Sequence, residues 1–316
     1  MPLYLLAAPA IGIAYGLLAQ RVHFCTMGAL SDLFLFGSRR RLRGWVLAAA
    51  TGLLLTQLLV AAGALAPGQT TYLALPAPGL PTALLGGCLL GYGMVLAGGC
   101  PSRNLVRLGG GSLKAGLVLL IMIVVALITT KIPLPMLLPL PALPADLGLP
   151  AGLILAIAGM SWSLGDRQLR SDRTALWVSF SLGLLVAAAW LGAPPGLEAG
   201  LNFAVATMAP SRPIAAFAFL LALGAVLGAH LGSRLQGRFR LEKLTGPDLR
   251  RMLGGAVLMG LALPLLGGCT IGMGLAGFSV LATPAILALL GMAAGARGGL
   301  FFLETGRLAP FPGRPS

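Results

Sequence analysis

Apolar residues fill long runs of this chain, separated by short polar or glycine- and proline-rich connections. Nine runs are long enough to be read as spans: Leu3 to Ala19, Trp45 to Ala66, Leu80 to Ala97, Leu113 to Thr130, Ala151 to Leu164, Ala175 to Leu191, Ile214 to Leu231, Met252 to Leu266 and Val280 to Ala294. Crossing the hydrocarbon takes about 20 mostly apolar residues in a helix. Nine such runs in 316 residues leave no room for a sizeable soluble domain. Between them lie shorter, glycine-broken pieces at Phe24 to Phe36, Leu201 to Ala209 and Ile271 to Phe278. These are too short to span and too apolar for open loops, so they read as half-helices that enter the membrane and return. The pattern predicts an all-α polytopic membrane protein over residues 1–316, with about nine transmembrane helices plus short re-entrant half-helices.

Composition agrees: 57% of residues are hydrophobic and 9% charged, against about 25% charged in soluble domains. The net charge of +14 changes the picture only in detail. Its basic residues sit in short connections without aromatic interleaving, which sets nucleic acid aside and marks topology instead. Arg39, Arg40, Arg41 and Arg43 form one cluster, Arg167, Arg170 and Arg173 a second, and Arg234, Arg238, Arg240, Lys243, Arg250 and Arg251 a third. All three are expected on the cytoplasmic face. The opposing connections, Pro67 to Gly79, Ile132 to Pro150 and Gly192 to Gly200, carry only Asp146 and Glu198 as charges. The chain begins without a basic leader, and no small-residue cleavage site follows its first apolar run, so that run is expected to stay as a span.

A proline-rich connection, 132–150, divides the chain into two halves of similar pattern, approximately 1–131 and 151–300. Placing Cys100 over Cys269 aligns Leu84 with Leu253, Gly86 with Gly255, Leu89 with Leu258, Gly91 with Gly260 and Gly98-Gly99 with Gly267-Gly268. Gly-Gly-Cys therefore closes an apolar helix twice, and a duplication into two pseudo-symmetric halves is expected. Duplicated transporters place their sites where broken helices of the two halves meet.

Paired glycines let a helix stop and a half-helix begin just after the cysteine. The free amides and positive dipole end of such a start suit an anion. A thiol there can donate a weak hydrogen bond to a soft sulfur atom. Cys25, in His23-Phe24-Cys25-Thr26-Met27-Gly28, opens a third short segment. Each cysteine alone reads as a small buried hydrophobe, but the shared context singles out Cys25, Cys100 and Cys269, with Gly98, Gly99, Gly267, Gly268 and Thr270 supporting them. Cys88 lies inside an apolar run, aligns with Val257 and is assigned to packing. His23 and Asp32 flank Cys25 and are candidates to tune or gate it, although His23 fits a satisfied interface position equally well. Arg103, Arg107 and Lys114 read first as cytoplasmic anchors and second as attractors of a departing anion. Arg212 is a candidate attractor at the outer mouth; Met27, Met208 and Met273 read as flexible packing. There is no Cys-x-x-Cys, and His23 and His230 share no ligand spacing with each other or with a cysteine pair, so no metal and no cofactor is expected.

Gln20-Arg21 leading to Phe24-Cys25, Gly28 and Asp32, then Gly98-Gly99-Cys100, then Gly267-Gly268-Cys269-Thr270 with Gly272 and Gly274 resemble the YeeE/YedE family of bacterial inner-membrane proteins, which includes thiosulfate transporters. The resemblance spans nearly the whole chain. It implies an hourglass-shaped bundle with half-helices meeting at a waist, and thiosulfate passing Cys25, Cys100 and Cys269 by transient sulfur contacts. It also implies, for some members, a cytoplasmic sulfur-carrier partner resembling TusA, and for others a link to selenium. Pro101-Ser102-Arg103-Asn104 departs from the thiosulfate transporter pattern. The expectation is uptake of thiosulfate or a related sulfur anion, non-covalently. A selenium-compound transporter and a membrane sulfurtransferase with a covalent cysteine are the alternatives. No ATP-binding loop is present in the sequence, which points to channel-like or secondary transport.

Overall fold

The computed structural model describes residues 4–66, 80–132, 145–194, 200–204, 213–242, 244, 246 and 248–305. Twelve α-helices are described: α1 (Tyr4–Val22), α2 (Thr26–Phe36), α3 (Arg40–Ala61), α4 (Leu80–Leu96), α5 (Pro101–Gly109), α6 (Leu113–Thr129), α7 (Ala145–Leu164), α8 (Arg167–Ser171), α9 (Arg173–Gly192), α10 (Pro213–Leu235), α11 (Leu249–Leu266) and α12 (Thr283–Thr305). A further helix over 270–279 is π-helical at its centre, Gly272–Gly277. Among the described residues there is no strand, only a single bridge between Ser112 and Glu242.

Seven helical stretches are long and apolar enough to cross a membrane, and two shorter apolar helices, 113–129 and 148–164, match the remaining two predicted runs. The chain is thus an all-helical polytopic membrane protein. α7 begins at Ala145, inside the segment read as a linker, and carries Pro150 within it. The opposing connections beyond 66, 132 and 194 lie largely outside the described residues, as do Arg212, Met208 and Lys243. The half-helix expected over Leu201 to Ala209 does not start before 205, since 200–204 is irregular, and its remainder lies outside the described residues.

The surface is built for lipid. Leu120, Ile154, Ile157, Trp177, Leu184 and Phe219 are exposed, whereas in water a band of such residues would drive association. On α1 the buried positions are Ala8, Ile11, Gly12, Tyr15, Gly16, Ala19 and Gln20, an i, i+3, i+4 stripe facing the bundle. Where lipid tails are as apolar as leucine, helices gain by approaching closely, and small residues permit it. Gly12 and Gly16 of α1 meet Gly224 and Gly228 of α10; Gly87 and Gly91 of α4 meet Gly291 and Gly295 of α12. A Cβ on Gly16 would sit 2.1 Å from the Ala225 carbonyl oxygen, and one on Gly295 2.0 Å from that of Cys88.

The helix pairs follow a regular scheme. α1 packs on α10 and α3 on α9; α4 packs on α12 and α6 on α11; α1 also meets α9, and α4 meets α11. The three basic clusters share one end of the bundle. There Arg40 pairs with Asp172, Arg41 with Asp32 at 3.2 Å, Arg43 with Asp166 at 3.2 Å and Arg107 with Glu242 at 3.5 Å.

Candidate functional site

Three helices too short to span begin in the interior, each just after a cysteine. α2 has 11 residues and α5 has 9, or about 16 and 14 Å at 1.5 Å per residue, half the hydrocarbon thickness. Each cysteine carbonyl accepts the first helical hydrogen bond: Ala29 N–H to Cys25 at 3.0 Å, Asn104 N–H to Cys100 at 3.0 Å and Met273 N–H to Cys269 at 2.8 Å. Cys25 and Cys100 are in extended conformation, φ −163° and −69°, so the thiol stands at the helix mouth beside amides that have no carbonyl partner within the helix.

The two Gly-Gly-Cys turns share one geometry. Gly98 has φ +70° and Gly267 φ +71°, the left-handed conformation in which glycine ends a helix without steric cost. Asn104 holds the first turn, its Nδ2 donating to Gly99 O at 2.9 Å and Cys100 O at 3.2 Å. Asn202 holds the second, donating to Gly267 O at 3.3 Å. Spanning helices pin the short ones: Trp45 Nε1 donates to Thr26 Oγ1 at 3.1 Å, and Trp190 Nε1 to Ser279 Oγ at 3.0 Å. The π-helical segment gives the chain room; a Cβ on Gly272 would lie 2.6 Å from Asn202.

These turns bring the three predicted cysteines together. Cys25 Sγ lies 3.7 Å from Cys100 Sγ, and Cys100 Sγ lies 3.3 Å from Ser102 Oγ. Cys269 Sγ accepts from Gly272 N–H at 3.4 Å, and its neighbour Thr270 reaches toward Cys100. Cys100 and Cys269 are fully buried, and Cys25 nearly so. Cys88 is half-buried in α4 where that helix crosses α12, apart from this cluster.

Residues that sequence reasoning did not single out surround the thiols. Tyr15, fully buried, lies within electrostatic reach of all three thiols and packs against Phe203 with ring centroids 5.0 Å apart and the rings tilted by 52°. Its hydroxyl, near Ser102, and that of Thr270, near Cys100, are buried without a well-formed hydrogen bond. Asn104 Oδ1 is likewise unpartnered. The one available signal for Tyr15 was its place on the Gly12, Gly16 face of α1.

His23 ends α1 in left-handed backbone, φ +52°, with Nδ1 3.0 Å from Arg103 Nη2. Asp32 pairs with Arg41 rather than with Cys25. A cavity of 530 Å³ lined by Arg21, His23, Cys25, Asp32, Arg40, Arg41 and Asp172, among others, connects Cys25 to the basic end. Arg107 and Lys114 both pair with Glu242, at 3.5 Å each. The Ser112 hydroxyl first, then these cations, hold the Glu242 carboxyl below the usual carboxylate range. Met27 accepts from Ser31 Oγ at 3.6 Å, and Met273 is buried against Gly268. Among the described residues no three His, Cys, Asp or Glu side chains converge as a metal site.

Buried thiols at half-helix starts, inside a bundle of spanning helices, characterise a polytopic membrane protein whose class is given by its family. The chain belongs to the sulphur transport family, whose model matches residues 21–146 and 150–297, and this makes it a transporter of sulphur species rather than an enzyme. It is 26% identical to the thiosulfate transporter TsuA of Spirochaeta thermophila over 324 residues, covering 88% of this chain and 92% of that protein. It is 23% identical to TsuA of Escherichia coli over 310 residues, covering 84% of each.

Proposed function

We propose that this protein imports thiosulfate across the bacterial inner membrane, handing it along Cys25, Cys100 and Cys269 by transient, non-covalent thiol contacts. The observation that carries the reading is the 3.7 Å approach of Cys25 and Cys100, next to Cys269 and to hydroxyls left unpartnered. A dianion in low dielectric is costly to hold unless several donors share it. Three helix starts, the thiols and the Tyr15 and Thr270 hydroxyls supply such donors without fixing a full charge there, so the anion can also leave. Thiosulfate suits this set because its terminal sulfur is soft and its oxygens take amide and hydroxyl hydrogen bonds. The names of the two relatives point the same way. Full burial of Cys100 and Cys269 disfavours a covalent sulfurtransferase at those two thiols, since it needs an accessible acceptor.

The same proposal takes the molecule as a duplication with the site between its halves. The reciprocal pairing of α1 with α10 and α3 with α9, and of α4 with α12 and α6 with α11, supports it, as do the twin turns at Gly98 and Gly267. The arginine-rich end would face the cytoplasm, where a carrier protein resembling TusA is the expected recipient.

The test is labelled thiosulfate uptake in a sulfur-auxotrophic bacterium at matched membrane levels. Wild type and Cys88→Ala should transport; Cys25→Ala, Cys100→Ala and Cys269→Ala should lose at least tenfold. Transport by all four variants would sink the relay. No thiosulfate uptake by wild type, with selenium-compound uptake instead, would move the substrate to that class.

A further inference from the structure

A second basin opens at the basic end, between α5 and the chain that follows α10. It is an open depression of 340 Å³ lined by Gln20, Arg103, Arg107, Gly110, Ser112, Arg238, Arg240 and Glu242. Four of these side chains are guanidinium groups and one is a carboxylate. That carboxylate is already saturated, since Glu242 takes Ser112, Arg107 and Lys114. Among the described residues no carboxylate pairs with Arg103, Arg238 or Arg240, and Arg103 Nη1 is buried with no hydrogen-bond partner.

The walls are fixed. Arg240 N–H donates to Gly110 O at 3.3 Å and Glu242 N–H to Gly111 O at 3.0 Å, clamping the chain after α10 onto the end of α5. Gly111 lies so close that a Cβ would sit 2.4 Å from Arg240 O. Phe239 is held by Arg234 over its ring at 4.3 Å and by His230 edge-on at 5.0 Å. Arg238 and Arg240 are exposed and Arg103 is half-buried; guanidinium groups around one basin repel one another, and a bound anion relieves that repulsion. Their planar forks match a tetrahedral oxyanion two oxygens at a time.

We infer that this basin is a second binding site, distinct from the thiol cluster, that takes a tetrahedral oxyanion on Arg103, Arg238 and Arg240. The oxyanion is either a free dianion of the sulfate class or the phosphate of an anionic lipid. Sulfate has no terminal sulfur for thiols to recognise, so it reports on this basin independently of the thiosulfate reading.

The full chain in nanodiscs of neutral phosphatidylcholine should bind labelled sulfate saturably. Arg238→Gln with Arg240→Gln should weaken that binding about tenfold or more, as loss of charge-assisted hydrogen bonds predicts, while the three cysteine variants leave it unchanged. Arg238→Lys with Arg240→Lys keeps the charge and should fall between, which separates loss of the site from loss of fold. Should a lipid be the occupant, sulfate will bind only weakly. Native mass spectrometry should then find phosphatidylglycerol retained by wild type and by Arg250→Gln, and lost with the glutamine pair. The inference is overturned if neither sulfate binding nor lipid retention responds to Arg238 and Arg240 more than to the exposed Arg250. Absence of thiosulfate uptake by the wild type, with intact sulfate binding, would instead count against the thiosulfate reading alone.

Discussion

A tyrosine hydroxyl without a hydrogen bond in a membrane interior carries a cost of about 1–3 kcal/mol. Tyr15 bears it beside three thiols, on a ring otherwise fully packed against Phe203. If the hydroxyl exists to donate to an anion in transit, Tyr15→Phe should separate function from stability. Its thermal midpoint in detergent should equal or exceed that of wild type, because the unpartnered group is gone. Thiosulfate uptake at subsaturating concentration should fall about tenfold, the equivalent of about 1.4 kcal/mol. Unchanged uptake would remove Tyr15 from the pathway. The thiols themselves were legible in the sequence because glycine pairs and helix starts surround them. Tyr15 and Asn202 were not: each reaches the cluster through a crossing of elements distant in the chain, and single polar residues in apolar runs carry no local mark. Arg103 was legible only as a cation, since its bond to His23 spans 80 positions.

At the scale of elements, hydrophobic run length revealed all nine long helices, because lipid imposes one length on all of them. It passed over α5 as a short apolar piece, since Arg103, Asn104 and Arg107 interrupt its pattern, although the preceding Gly-Gly-Cys marked where it starts. The glycine pairs spaced four apart in α1, α4, α10 and α12 were also visible, yet their meaning as two closely packed crossings appears only when the partners are known. Those crossings carry the short helices, so their packing should govern stability. Gly295→Ala would drive a methyl group into the Cys88 carbonyl at 2.0 Å and should cost about 1–3 kcal/mol, as overpacking does. Gly254→Ala, with nothing within 4 Å of the added carbon, should be neutral or slightly stabilising through helix propensity. Thermal unfolding of the two purified variants checks the contrast, and equal midpoints would refute the crossing as the tight point.

For the molecule as a whole, the basic end is tied together by carboxylates that join segments far apart in the chain. Arg40 of α3 meets Asp172 at the start of α9, 132 positions away, and Ser112 meets Glu242, 130 positions away. Asp172 is held below the ordinary carboxylate range first by the N–H of Ala175, which it caps, and then by Arg40; Glu242 is held down by Ser112, Arg107 and Lys114. A carboxyl group whose folded pKa is depressed adds stability that is present above its unfolded pKa and disappears as pH falls through the folded one. Both ties therefore act fully at neutral pH and should fail as the pH falls below the ordinary carboxylate range, about 4, and on through the depressed folded values. Partial exposure and salt screening keep each ion pair modest, at about 1 kcal/mol or less, while the Asp172 cap is one that asparagine retains. Asp172→Asn combined with Glu242→Gln should accordingly lower the thermal midpoint at pH 7 and flatten its acid decline, so that the gap between variant and wild type narrows as the pH falls below about 4. A gap that stays constant below that pH would mean the two carboxylates act through shape, and that the basic end is held by packing alone.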